Sequence, residues 1–350
     1  MIDKKKTTVS APGKLLISGE YSVLEGYEAL SCATSRKFYC HTILDKQLSI
    51  SNHCNKNVPI IINKTKVEIL SLKANQFYLV KLILETALKN GLKIPIINIK
   101  LDSSELFIQD IDNIKKIGLG SSSALAATLS YQIISNNVKQ VKLQDVFYLA
   151  YKAHNQYTQG LGSGIDVATA IFGGLIKFKI TNSRSLPKIT KLKKNEIIKN
   201  LICIYTGYSQ KTQLFLNAIN KFKKKNENIY KNIITKLSIA NKNLIKKLIK
   251  PKQEINLNFI IAVKTYNNML YNLGKLVQID IITNQHKQIA KIAEFYNGTG
   301  KASGAGGGDI AIVFLPQKNK KKFINTIKKE NFIVINLDMF ANGIKIKKLN

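Results

Sequence analysis

A glycine–serine stretch at residues 118–123 constrains the fold of this chain more than any other segment. It reads Gly-Leu-Gly-Ser-Ser-Ser and continues into Ala-Leu-Ala-Ala at 124–127, a run of strong helix formers. A loop that opens into a helix in this way presents successive backbone N–H groups and the positive end of the helix dipole, which together suit a phosphate group. Taken alone, the same stretch also fits a serine N-cap on an ordinary helix.

Neither standard nucleotide-binding motif accounts for this loop. A Walker A loop needs lysine and then serine or threonine after its last glycine, and no Gly-Lys pair in the chain continues in this way. The dinucleotide motif GxGxxG fails as well, because Ser123 stands where its third glycine belongs. The loop therefore predicts phosphate binding in a different structural setting.

Two further glycine-rich segments follow, at 160–164 and 303–308. The later one has four glycines in six residues, more than the one or two positive-φ positions that a simple turn requires. Such a loop suits close packing of the backbone against a ligand or another loop, or a flexible connection. Three loops of this kind favour a phosphate site at 118–123 over a merely capped helix.

Three charged residues near these loops are candidates for phosphoryl transfer, which needs a group that positions or deprotonates the acceptor and cations that hold the developing charge. Asp166 directly follows the second glycine segment at the start of a predicted helix, where it either serves the acceptor or caps the helix. Lys14 lies between a turn and an apolar strand. Glu20 follows that strand, where its carboxylate either orients substrate or metal, or merely caps the chain.

The hydrophobic periodicity predicts helices mixed with non-consecutive strands in both halves, which favours an α+β fold. Residues 7–50 alternate as strands with turns at Pro12-Gly13 and Glu25-Gly26, and 181–200 lose apolar periodicity. We therefore predict two lobes, 1–185 and 186–350. The other predicted strands are 96–101, 309–315 and 332–337, and the predicted helices are 75–90, 143–159, 210–225, 229–250, 256–273, 283–296 and 318–329.

The net charge of +33 invites a nucleic-acid interpretation, but the kind of basic residue argues against it. All of the 54 basic residues except Arg36 and Arg184 are lysine, whereas nucleic-acid sites favour the planar fork of arginine. The lysine runs at 223–225 and 320–322 are interpreted as solvated faces. No apolar run reaches the roughly 20 residues of a membrane span, so neither nucleic acid nor membrane is a predicted partner.

The cysteines and histidines point to no metal centre. The four cysteines lack CxxC pairs and metal-ligand spacing, and the four histidines form no HxxH or HExxH pattern. No apolar stretch follows the lysines at 4–6, so no secretory signal is expected. Free thiols are typical of a reducing compartment, and we predict a cytoplasmic location.

Three segments, taken in order, resemble the motifs of the GHMP kinase superfamily. They are Ser-Ala-Pro-Gly-Lys-Leu-Leu-Ile-Ser-Gly-Glu-Tyr at 10–21, Lys-Ile-Gly-Leu-Gly-Ser-Ser-Ser-Ala at 116–124, and Lys-Ala-Ser-Gly-Ala-Gly-Gly-Gly-Asp at 301–309. Within the superfamily the chain is most similar to the phosphomevalonate kinases, through Ala153-His154, 159–168 and the aspartate at 309. Tyr205 stands where that family commonly has tryptophan, and mevalonate kinase is the alternative.

The resemblance implies a two-lobed fold, with an ATP-phosphate loop in the N-terminal lobe and a ferredoxin-like C-terminal lobe. It also implies transfer of a phosphoryl group from ATP, with Mg²⁺, to 5-phosphomevalonate. Lys14 and Asp166 take the catalytic roles, and Ser122 is the hydroxyl expected near Mg²⁺. The implied ATP-binding residues are Lys116, Gly118, Leu119, Gly120, Ser121, Ser122, Ser123 and Ala124. The implied substrate-binding residues are Lys14, Glu20, Ser163, Gly164, Gly306, Gly307 and Gly308.

Two interpretations from other classes stay open at this point. A non-catalytic relative would be expected to lack Lys14, Asp166 or the serine loop, all of which are present. A basic nucleic-acid binder would be expected to show clustered arginine or interleaved aromatic residues, which the sequence lacks. The oligomeric state, monomer or homodimer, is open.

Overall fold

The computed structural model describes residues 6–71, 74–110, 113–181, 186–207, 210–251 and 253–349. Its strands are β1 (Lys6–Ser18), β2 (Ala29–Leu44), β3 (Ser49–Ser51), β4 (Val58–Asn63), β5 (Lys66–Ile69), β6 (Ile97–Asp102), β7 (Phe107–Asp110), β8 (Asn113–Lys116), β9 (Leu175–Lys179), β10 (Lys188–Leu192), β11 (Ile202–Tyr205), β12 (Thr299–Ser303), β13 (Ile310–Phe314), β14 (Ile333–Ile335) and β15 (Lys345–Leu349). Its helices are α1 (Tyr78–Lys89), α2 (Ser121–Ser135), α3 (Leu143–Tyr157), α4 (Ile165–Phe172), α5 (Glu196–Lys199), α6 (Thr212–Lys225), α7 (Glu227–Leu248), α8 (Leu257–Val277), α9 (Asn284–Phe295) and α10 (Lys320–Lys329).

The larger sheet has the strand order β10-β9-β2-β6-β3-β4-β5, and β1 lies between β2 and β15. Its pairs are antiparallel except for β3 with β6. Helices α1 to α4 pack together, and α2 and α4 also contact β1 and β2. Apolar side chains of α2 and α4, such as Leu129 and Ile171, are fully buried there with Ile17 of β1. This packing brings the start of α2, the start of α4 and the middle of β1 to one region.

The smaller sheet is antiparallel, with the order β12-β13-β11-β14. Helices α6 to α9 separate β11 from β12, and α10 separates β13 from β14. Counted from β11, the order is 2-3-1-4 in a β-α-β-β-α-β sequence, which is the ferredoxin-like arrangement. Ile289 of α9 and Phe323 of α10 pack with Ile204 and Val313 of the sheet. The predicted α+β class and the ferredoxin-like second half are therefore confirmed.

The predicted turn at Pro12-Gly13 is wrong, because β1 runs through it. Pairing with β15 ends at Ser10, and the register with β2 shifts between Pro12 and Lys14. A bulge of this kind accommodates a residue that has no N–H to donate. The predicted turn at Gly26 is confirmed, since Gly26 closes a 3₁₀ turn with φ 78°.

Strands from both halves of the chain build the larger sheet. Both β10 and β15 lie beyond residue 185, yet they pair with β9 and β1. The division into lobes at 185/186 stays a prediction. Among the described residues, no helix is long and apolar enough to cross a membrane.

Candidate active site

The phosphate-loop candidate lies directly against the bulge of β1. The backbone N–H of Lys14 donates to the carbonyl oxygen of Leu119 at 2.9 Å. Gly120 has φ 78°, and a Cβ there would lie 2.9 Å from Cγ of Lys14. Glycine is therefore required at 120 both for the left-handed backbone and for the space that Lys14 occupies.

The three serines form the first turn of α2, whose early N–H groups have no acceptor within the helix. Ser123 is buried, and its hydroxyl donates to the carbonyl of Gly120 at 2.7 Å, so it supports the loop itself. Ser121 and Ser122 are half-buried. Leu119 and Ala124 are buried, so they offer a ligand their backbone rather than their side chains. The turn therefore has the N–H groups, the helix dipole and two accessible hydroxyls that an anion site needs.

Lys14 and Asp166 form an ion pair beside this turn. Nζ of Lys14 lies 3.4 Å from Oδ2 of Asp166, and their side chains are 11% and 33% exposed. Asp166 lies in the first turn of α4, which follows Gly164 with φ 85°. A Cβ at Gly164 would collide with the ring of Tyr151, 2.3 Å away. The second glycine segment therefore sets the start of α4, and with it the position of Asp166.

Ser163 also serves the start of α4. Its Oγ accepts a hydrogen bond from the N–H of Ile165 at 3.3 Å, and its side chain is half-buried. The substrate-binding roles of Ser163 and Gly164 stay predictions, because each residue already has a local task.

Asp309 joins the third glycine segment to the phosphate loop. The position of a Cβ at Gly118 lies 2.6 Å from Cγ of Asp309, so only glycine fits beside this carboxylate. The Asp309 carbonyl accepts from the N–H of Thr206 at 2.9 Å, just beyond β11. Although Lys116 is exposed as a whole residue, burial around its charged group lowers its pKa, and the nearby Asp309 raises it. The sequence motifs singled out Asp309 only as the end of a pattern, not as a site residue.

Glu20 lies in the interior, where both of its carboxylate oxygens have protein partners. Oε1 accepts from Nζ of Lys301 at 2.7 Å, and Oε2 accepts from the hydroxyl of Tyr266 at 2.5 Å. Burial lowers the pKa of Lys301, and the contact with Glu20 opposes that shift. Glu20 therefore lies in the protein interior, and its predicted substrate contact stays a prediction.

The glycines at 306–308 are buried and pack against other parts of the protein. A Cβ at Gly306 would lie 2.2 Å from the carbonyl oxygen of Ile281, and one at Gly307 would lie 2.1 Å from the ring of Phe215. The N–H of Gly307 donates to Ile281 at 3.2 Å. The sequence left open whether this loop packs against another part of the protein, and the structure shows that it does. The predicted substrate contact of the loop stays a prediction.

His154 is a neighbour of this site that the sequence prediction missed. It lies near the end of α3, and its Nε2 is 3.2 Å from Oγ of Ser122. Burial lowers the pKa of His154, Asp166 raises it and Lys14 lowers it further. The only signal in the sequence was its place inside a motif, because a histidine on a predicted amphipathic helix is ordinarily a side chain packed in the core.

Oxygen ligands for Mg²⁺ are present here, although no cluster of three or more His, Cys, Asp or Glu side chains suited to a metal occurs in the described part of the chain. Mg²⁺ in kinases is commonly held by one or two protein oxygens together with substrate phosphates. Asp166 and Ser122 supply a carboxylate and a hydroxyl in the first turns of α4 and α2, and both interact with His154. This donor set fits the ion.

Two grooves lie away from these residues. One, of about 550 Å³, lies at the edge of the larger sheet and is lined by aliphatic residues such as Leu48, Ile60 and Ile94. A second, of about 210 Å³, lies between Tyr271 and Ile282. Neither is lined by Lys14 or Asp166.

Comparison with known proteins agrees with these motifs. Residues 78–174, which span α1 to α4 and the phosphate loop, match the model of the GHMP kinases N terminal domain. A phosphomevalonate kinase of Saccharolobus solfataricus is 29% identical over 86% of this chain and 88% of its own. A mevalonate kinase of Methanocaldococcus jannaschii is 27% identical over 95% of this chain and 99% of its own.

A solved structure shares the fold. It is the Streptococcus pneumoniae phosphomevalonate kinase in complex with phosphomevalonate and AMPPNP, which is 18% identical over 95% of this chain and 99% of that chain, with a TM-score of 0.74. The resemblance to the GHMP kinases, and among them to phosphomevalonate kinase, is therefore confirmed, and the chain has the GHMP kinase fold.

Proposed function

We propose that this chain, which has the fold of the GHMP kinase phosphotransferases, transfers the γ-phosphoryl group of ATP to 5-phosphomevalonate, giving 5-diphosphomevalonate and ADP. The observation that carries the proposal is the Lys14–Asp166 pair, 3.4 Å apart and bonded through the Lys14 backbone to the 118–120 loop. The cation needed to hold two anionic reactants, together with the carboxylate that positions it, therefore lies beside a turn suited to phosphate.

In this proposal the role of each residue follows from its position. The N–H groups and hydroxyls at the start of α2 bind the ATP phosphates, and Lys116 adds a cation from the end of β8. The ammonium group of Lys14 holds the charge that develops on the transferred phosphoryl group. Ser122 and Asp166 would hold Mg²⁺, which supplies charge neutralisation when ATP is bound.

Asp166 acts mainly by position when the acceptor is a phosphate. The second pKa of a phosphomonoester is near 6, so the attacking oxygen is already ionised at neutral pH. Asp166 then has no proton to remove, and besides the place it offers Mg²⁺ it fixes Lys14 at the reacting atoms. With an alcohol as acceptor, the same carboxylate would serve as the general base.

The second candidate function is phosphorylation of mevalonate itself. The Methanocaldococcus relative named above supports it, because its identity of 27% is close to the 29% of the phosphomevalonate kinase. The partly exposed Asp166 suits either acceptor. The choice between them therefore depends on other residues, which must distinguish a phosphate from a hydroxyl.

The decisive experiment measures ADP release and product mass with Mg-ATP and either 5-phosphomevalonate or mevalonate. We expect a higher kcat/KM with 5-phosphomevalonate and a product that carries a second phosphate. Preference for mevalonate would overturn the choice of acceptor and leave the ATP site in place. Turnover of neither would reject both functions.

A further inference from the structure

A nearly buried imidazole lies behind the phosphate-binding turn, and phosphoryl transfer as proposed above makes no use of it. His154 is 9% exposed, and its Nε2 is 3.2 Å from Oγ of Ser122. The chain has only four histidines, so this pairing stands out more than any contact made by the abundant lysines. Its contact with the Ser122 hydroxyl indicates a role in the site itself.

The surroundings of His154 come from four elements. Ser122 of α2 meets its Nε2, Tyr157 of α3 lies with its ring centroid 5.9 Å away, and Asp166 of α4 and Lys14 of β1 act on it electrostatically. Burial favours the neutral form of the ring. A neutral imidazole has one lone pair and one N–H, so it can fix the proton of a neighbouring hydroxyl.

Ser122 needs such a partner if its oxygen is to serve a cation. A serine hydroxyl rotates freely, and a metal ion requires that its proton point away from the metal. Groups that orient metal ligands in this way strengthen binding although they do not touch the ion. Ser123 has its own acceptor in the Gly120 carbonyl at 2.7 Å, so the two neighbouring serines are fixed by different partners.

We propose that His154 is a positioning residue, whose Nε2 accepts a hydrogen bond from the Ser122 hydroxyl and thereby turns the lone pairs of Oγ towards the cation that accompanies ATP. This inference rests on the proposed function only for the use of ATP. It does not depend on which acceptor is phosphorylated.

The test measures ATP affinity by calorimetry, once with excess Mg²⁺ and once with EDTA, for five proteins. They are the wild type, His154→Leu, His154→Gln, Ser122→Ala and the double variant Ser122→Ala/His154→Leu. Leucine removes the acceptor while keeping an apolar side chain, and the glutamine amide places a polar atom near the position of Nε2. Thermal unfolding of each variant shows that it is folded at the assay temperature.

We expect His154→Leu to weaken binding of Mg-ATP about 10-fold and to leave binding of ATP in EDTA within about 2-fold of wild type. His154→Gln should recover most of the loss. In the Ser122→Ala background the leucine substitution should add almost nothing, because the two residues act through one contact.

Three outcomes would overturn the inference. The first is an equal loss of ATP affinity with and without Mg²⁺ in His154→Leu. The second is a loss in the double variant equal to the product of the two single losses. The third is a His154→Leu protein whose Mg-ATP affinity equals that of the wild type. A wild-type protein that binds no ATP would overturn the proposed function as well, which distinguishes the two failures.

Discussion

Two lysine–carboxylate pairs in this molecule resemble each other in the sequence around the lysine but differ in their exposure to solvent. Lys14 and Lys301 each follow a glycine and each lie on a strand, β1 and β12. Lys14 and Asp166 are 3.4 Å apart and partly exposed. Lys301 and Glu20 are 2.7 Å apart, with side chains 0% and 1% exposed. The comparison shows that packing around the strand, rather than the Gly-Lys dipeptide, decides whether a lysine keeps contact with solvent or is enclosed in the interior.

The buried pair depends on hydrogen bonds that replace water. Besides the contacts with Lys301, Tyr266 donates to Glu20 and accepts from the N–H of Gly19 at 2.9 Å. Further bonds tie the same segment to later parts of the chain, since Ser303 donates to the Leu16 carbonyl at 2.8 Å and Tyr21 donates to the Ala305 carbonyl. A charge held in this way is fixed. The Lys14 side chain, by contrast, stays 11% exposed.

The largest effect is expected when the buried pair is broken. Lys301→Met leaves the Glu20 carboxylate without its cation in the interior, which should lower the free energy of unfolding by about 3–5 kcal/mol. Urea unfolding followed by circular dichroism measures this. The matched control is Lys275→Met, because Lys275 also follows a glycine but is exposed on α8, and it should change stability by about 0.5 kcal/mol or less.

A double variant, Glu20→Gln/Lys301→Met, removes both charges and should recover part of that loss. If Lys301→Met were no more destabilising than Lys275→Met, the interior assignment of this pair would be wrong.

The next effect concerns rate rather than stability. Lys14→Met removes the cation beside the phosphate turn and should reduce kcat by about 10²–10³-fold, the usual cost of losing one group that stabilises transition-state charge. Asp166→Asn should also reduce kcat, since it releases Lys14. Both variants should unfold within about 1 kcal/mol of wild type, because a partly exposed pair adds little stability. Steady-state kinetics and urea unfolding on the same preparations check this, and near-normal turnover in both variants would refute the site.

A smaller effect is expected from Tyr266→Phe, which removes one hydroxyl from the buried pair. The loss of a hydrogen bond to a charged group should cost about 1.5–3 kcal/mol in the free energy of unfolding. Urea unfolding measures it, with Tyr271→Phe on the same helix as the control. Tyr271 is half-buried and bears the cation–π contacts of Lys275 and Lys287 through its ring, which phenylalanine keeps. Equal changes in the two variants would argue against a specific role for the Tyr266 hydroxyl.

The smallest effect is the response to salt. The coupling free energy between Lys14 and Asp166, from a double-mutant cycle in urea unfolding, should fall by less than about 1 kcal/mol between low and high NaCl. The coupling between Lys301 and Glu20 should stay constant, because mobile ions cannot reach it. Equal salt responses in the two cycles would contradict the difference in exposure.

The sequence predicted the loop-to-helix transition before α2 well because its determinants are local. Gly120 and the Ala-Leu-Ala-Ala run at 124–127 specify a loop followed by a helix, although α2 begins at Ser121, three residues before that run. The positions of α1, α3 and the long helices of the second half follow the apolar spacing within a few residues. The ferredoxin-like strand order, by contrast, was implied by the family resemblance alone.

What the sequence could not supply are the partners brought together by tertiary structure. Glu20 meets Lys301 across most of the chain, and no local pattern distinguishes a buried lysine from the many solvated ones. Pro12 and Gly13 carry a turn signal, but the pairing of β1 with β2 before and after them retains the segment as a bulge within one strand. His154 and Asp309 lie within motifs, yet their contacts with Ser122 and Gly118 depend on how helices and loops pack.

The pairing of β1 with β15 sets an order of events during synthesis. The first strand carries Lys14, but its outer edge between Lys6 and Ser10 finds its partner only in residues 345–349. Contacts so distant in sequence form late, because a long loop must close before they contribute. On the ribosome, one edge of β1 therefore stays open until residues 345–349 have emerged. A strand edge left open is prone to pair with other chains, so this edge is exposed to misassembly for as long as β15 is missing.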